Sequence, residues 1–111
     1  MNKKIIIALT FIVLLNISTV FFWKQPFLLF YIFIVLAFVK HLLSPIKREL
    51  LYFILAGILG TGSECLVMYI GGYPWNYNNT TILNFPIYAL SLWGFTAISF
   101  LTLAQGLSEK R

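Results

Sequence analysis

Aspartate is absent from this chain, and glutamate occurs three times in 111 residues, as Glu49, Glu64 and Glu109. Charged residues make up only 10% and hydrophobic residues 60%, so a soluble chain of this size could not bury its apolar surface. Lipid must therefore solvate much of it. Cysteine is nearly missing too: Cys65 stands alone, which rules out an intramolecular disulfide and leaves a small apolar helix residue as the simplest reading. The single histidine, His41, falls in a basic connection, where an ordinary interfacial role is expected. No CxxC, HExxH or phosphate-loop pattern occurs, so metal and nucleotide chemistry is disfavoured and no metal or cofactor is expected.

What the chain does have is long apolar runs. Four are long enough for a hydrocarbon core, which takes about 20 predominantly apolar residues. They cover roughly 5–23, 27–43, 49–71 and 85–105. None alternates apolar with polar residues, so a β-barrel is excluded. Pro26 is suited to open the second helix, Ser44-Pro45 to cap and begin the third, and Asn84 with Pro86 to begin the fourth. Gly71-Gly72 and Gly106 are natural stops. Lys24-Gln25-Pro26 is so short that helices one and two should form an antiparallel hairpin. The N-terminal run resembles the start of a secretory signal, but it lacks an Ala-x-Ala-like site and stays apolar through Trp23. It reads as a retained first span. The expected fold is all-α, a single integral membrane domain over 1–111 with four transmembrane helices in an up-down bundle.

Charge sets the expected orientation. Lys3, Lys4, Lys40, Lys47, Arg48, Lys110 and Arg111 fall on one side of these spans, against Lys24 alone on the other. By the positive-inside rule both termini should be cytoplasmic. The net charge of +5 lies at the ends of apolar runs, which points to membrane lipids and anionic headgroups as partners, not nucleic acid.

Glu64 is the acid inside an apolar band. A carboxylate at membrane depth costs roughly 2.5–3.5 kcal/mol on insertion scales and is a functional-site candidate by default. At about 100° per residue, its helical stripe contains Phe53, Gly57, Gly60, Thr61, Met68 and Gly71. Three glycines there let another helix approach closely, so the carboxyl should point into the bundle. Depth matching brings Asn16 of span one and Tyr88, Ser91 and Trp93 of span four near Glu64, and a polar cluster among them is expected. In the uncharged external loop from Gly72 to Leu83, Trp75 and Tyr77 are either interfacial anchors or a cover over the Glu64 cavity. The candidate site is thus Glu64 as acid or base, with Asn16, Trp75, Tyr77, Tyr88 and Trp93 as substrate contacts.

The order Gly60-x-x-x-Glu64, Gly72-Tyr73-Pro74-Trp75-Asn76-Tyr77, Pro86 and Leu92-Trp93-Gly94 resembles small bacterial inner-membrane proteins of unknown function. The basic connection from His41 to Leu50 is similar to theirs as well. The resemblance implies a four-span, multi-pass protein of the bacterial cytoplasmic membrane. The same residue order also looks like polytopic carotenoid-modifying membrane proteins. That likeness implies Glu64 as an acid near a lipid or isoprenoid double bond, with Tyr77 and Trp93 beside it. Small multidrug-resistance transporters are similar in architecture only, since their membrane glutamate lies on the first helix.

Three readings stay open from sequence: an accessory or enzyme of membrane-lipid or isoprenoid metabolism, a small proton-coupled transporter, and a structural membrane subunit. Four short spans bury little surface, so a homo-oligomer is an expected way to enclose a ligand.

Overall fold

A backbone crossing hydrocarbon must satisfy its own polar groups, and these apolar runs do so as helices. The structure, a computed structural model, describes residues 2–71 and 87–109. Among the described residues it contains no strand and four helices: α1 (Lys3–Phe22), α2 (Pro26–Leu43), α3 (Glu49–Ile70) and α4 (Tyr88–Glu109). All four are long and apolar enough to cross a membrane, and their broad apolar surfaces, such as Leu50, Ile58, Leu66 and Ile70 on α3, are exposed. This is a multi-pass membrane architecture.

Local chemistry explains most of the helix ends. The Asn2 side chain accepts from the Lys4 backbone N–H at 2.7 Å and caps α1. Pro26 occupies the first turn of α2, where its missing N–H costs nothing. Two expectations about punctuation need correction. Ser44 closes α2 and does not open α3, whose cap is Arg48 in the left-handed region at φ 59°. Residues 45–48 are spent turning the chain so that Glu49 begins α3 facing inward. Gly106 does not end α4, which runs on to Glu109. There the glycine lets α1 come close: a Cβ would lie 2.8 Å from Ile5 Cγ1 and 3.1 Å from the Ile5 backbone nitrogen.

The helices do not pack as an even ring. α4 contacts all three others, whereas α3 packs substantially on α4 alone. Composition explains the asymmetry. α4 buries small and polar residues, Ser91, Gly94, Ser99, Thr102 and Gly106, on several of its faces, and small residues admit close neighbours. Two of their hydroxyls find local acceptors, with Thr102 Oγ1 donating to the Ile98 carbonyl at 2.8 Å and Ser91 Oγ to the Tyr88 carbonyl at 3.2 Å. Phe95 is the centre of the core, with ring centroids 6.1 Å from both Phe11 and Phe33.

One end of the bundle carries an exposed ion pair between its first and last helices. Lys4 Nζ pairs with Glu109 Oε1 at 2.7 Å, which puts the start of α1 and the end of α4 at the same end of the molecule. A one-sided placement of both termini requires this arrangement.

Candidate functional site

Two glycines bring α3 and α4 together. A Cβ on Gly57 would stand 2.5 Å from the Leu90 carbonyl oxygen, and one on Gly94 would stand 2.5 Å from the Phe53 carbonyl oxygen. Each helix thus presents a glycine to the other's backbone, a contact closed to any residue with a side chain. Gly60, one turn along α3 from Gly57, lies under the Trp93 indole, which a Cβ would strike. The glycine stripe predicted around Glu64 therefore does face another helix, and that helix is α4.

This approach sets Trp93 beside Glu64. The indole Nε1–H donates to Glu64 Oε1 at 2.9 Å. An indole nitrogen only donates, so the bond orients the carboxyl whether or not it carries a proton. Glu64 is half-buried and Trp93 is 37% exposed, because both border a groove between the two helices. The groove is open along one side, has a volume of about 510 Å³ and is walled mainly by Ala56, Leu59, Val67 and Ala97, with Ser63 and Thr96 as minor polar edges. That volume lies within the roughly 300–1,000 Å³ typical of small-ligand sites. Among the described residues Glu64 is the one titratable side chain lining it.

The other sequence candidates divide. Tyr88 is buried in the core against Phe33, with ring centroids 6.4 Å apart, and does not line the groove. Ser91 is likewise buried and bonded within α4. Asn16 is exposed on α1 and donates to its own Ile12 carbonyl at 2.9 Å. Depth matching alone grouped Asn16, Tyr88 and Ser91 with Glu64, but Tyr88 and Ser91 turn into the core, and α1, which carries Asn16, packs on α4 and α2 and not substantially on α3. Trp75 and Tyr77 lie outside the described residues.

A second polar centre escaped the sequence reading. Glu49, the first residue of α3, is buried, and its carboxylate takes the Lys40 ammonium on one oxygen and His41 Nδ1 at 2.5 Å on the other. Lys40 is fully buried. Each charge stands at the helix end that favours it, the cation in the last turn of α2 and the anion in the first turn of α3. The readable signal was that opposition of charge across a short turn. In the sequence Lys40 counts only as one of the basic residues on one side, and Glu49 as an acid beside basic residues at a segment end. A cleft of about 310 Å³ adjoins this centre, between α2, α3 and α4.

Comparison with protein-family models, curated proteins and solved structures finds no match. Among the described residues no group of three or more histidine, cysteine or acidic side chains is arranged to hold a metal ion.

Proposed function

We propose that this chain is a four-span protein of the bacterial inner membrane, with both termini cytoplasmic, that binds a lipid or isoprenoid chain in the α3–α4 groove. Glu64 engages the polar end of that chain, and the protein serves membrane-lipid or isoprenoid metabolism as an accessory or enzyme. The observation that carries this reading is the groove's chemistry: apolar walls around one carboxyl that an indole N–H holds in place. Such a surface suits a molecule with a long hydrocarbon body and a single hydrogen-bonding end, such as an alcohol. If the protein acts chemically on its ligand, Glu64 is the acid or base, with Trp93 orienting it. The orientation rests on the seven-to-one distribution of basic residues.

The test is photolabelling of the reconstituted protein with a diazirine-bearing isoprenoid alcohol, followed by peptide mapping. Label on α3 and α4 that falls in Glu64→Ala and in Leu59→Trp, which fills the groove, supports the reading. Label spread over all helices and indifferent to both substitutions overturns it. Glu64-dependent proton flux in proteoliposomes without groove labelling would favour the transporter reading instead.

A further inference from the structure

The cleft beside Lys40, His41 and Glu49 has a composition unlike the Glu64 groove. Its apolar wall comes from Ile34, Ala37 and Phe38 of α2, Leu50 and Phe53 of α3, and Ile98 of α4. Its polar edge is His41 and Glu49. Glu49 is buried and already accepts from Lys40 Nζ and His41 Nδ1, with the Ile46 backbone N–H 3.5 Å from Oε1, and its charge does not attract an anion. An ionised carboxylate only accepts, so His41 donates through Nδ1, and in the protonated ring Nε2–H is a second donor that an anionic oxygen can take. The imidazole is held on one side and open on the other, with its side chain 49% exposed.

Charge selects the ligand. The connection holds three cations, Lys40, Lys47 and Arg48, against the one carboxylate of Glu49, and Lys47 and Arg48 are exposed. The cluster sits at the end of the bundle where α2 finishes and α3 begins, the depth at which headgroups meet the hydrocarbon. Basic pockets between transmembrane helices at this level take anionic headgroups. We infer that this cleft is a binding site for an anionic phospholipid, with the phosphate on His41 Nε2 and the Lys47–Arg48 turn, and one acyl chain along Ala37, Phe38 and Phe53. It is separate from the Glu64 groove and does not depend on what occupies that groove.

The experiment uses the full chain, stripped of lipid in detergent and offered equal phosphatidylglycerol and phosphatidylcholine, with retained lipid read by native mass spectrometry. The expected result is preferential retention of phosphatidylglycerol. His41→Ala should lower that retention about tenfold, the order set by losing one charge-assisted hydrogen bond. Ala37→Leu, which fills the cleft but spares the imidazole, should lower it comparably. The two variants perturb different parts of the site, so misfolding of one leaves the other informative. Equal retention of both lipids by the unmodified chain, or unchanged phosphatidylglycerol retention in both variants, would overturn the assignment. So would displacement of the lipid by excess inorganic phosphate, which would mark a site for the free anion.

Discussion

Trp93 donates its indole N–H to Glu64 across the α3–α4 seam at 2.9 Å, and Gly60 provides the space in which that indole lies. The pair joins an intramembrane acid, a tight helix crossing and an apolar groove in one local arrangement, and its consequences are measurable.

Trp93→Phe keeps an aromatic ring and removes the N–H. Interhelical hydrogen bonds in membranes are worth about 0.6–2 kcal/mol, so the variant should lose stability in that range. Reversible unfolding in mixed micelles would measure it. With Trp93 in place, its indole N–H resonance should move on Glu64→Gln, and a stationary resonance would argue against the bond.

Gly57→Leu or Gly94→Leu places a side chain against the partner helix's carbonyl. Either should separate α3 from α4, at a cost of about 1–3 kcal/mol or more for the overpacking. Disulfide trapping between cysteines introduced at Ala56 and Ala97, which both line the groove, should fall in each variant. Gly62, with no atom of the described residues within 4 Å of a Cβ, should accept alanine without effect.

Lys40→Met should destabilise strongly, by about 3–5 kcal/mol, because it strands the buried Glu49 carboxylate without its ammonium partner. The double variant Lys40→Met, Glu49→Met should recover much of that loss, since it removes both buried charges. Unfolding measurements on the two single variants and the double variant form the cycle that reads the coupling.

Asn16→Leu should leave both stability and groove labelling unchanged. The side chain is exposed and bonds only within its own helix, and its removal leaves the Ile12 carbonyl in its ordinary helical hydrogen bond. Loss of labelling in this variant would place Asn16 in the site after all.

Orientation is open to direct measurement. In spheroplasts, a membrane-impermeant thiol reagent should label Lys24→Cys from outside and reach Lys47→Cys only after permeabilisation, both in a Cys65→Ser background. The reverse pattern would turn the topology over.

Much of this molecule was legible as a string of residues. Apolar run lengths located all four helices, because a bilayer sets the length that a backbone must cross. Pro26 marked the start of α2, and the scarcity of acids singled out Glu64. The glycine stripe predicted a close helix approach, and Gly57 and Gly60 make it. Lys40 and Glu49 were visible as residues but not as a buried pair, since pairing depends on how the 44–48 turn aims α3.

Sequence alone therefore determined the number of spans, their lengths and the unusual acid. Tertiary structure alone decided that α4 is the hub, that Trp93 and not Asn16 meets Glu64, and that Glu49 is buried. The reason is physical. In a soluble protein an apolar stripe tells which helix face turns inward, but lipid is as apolar as a protein core, so these helices carry no such label. Their rotation is chosen by close steric fit and a few polar contacts, and those belong to pairs of helices, not to any one segment.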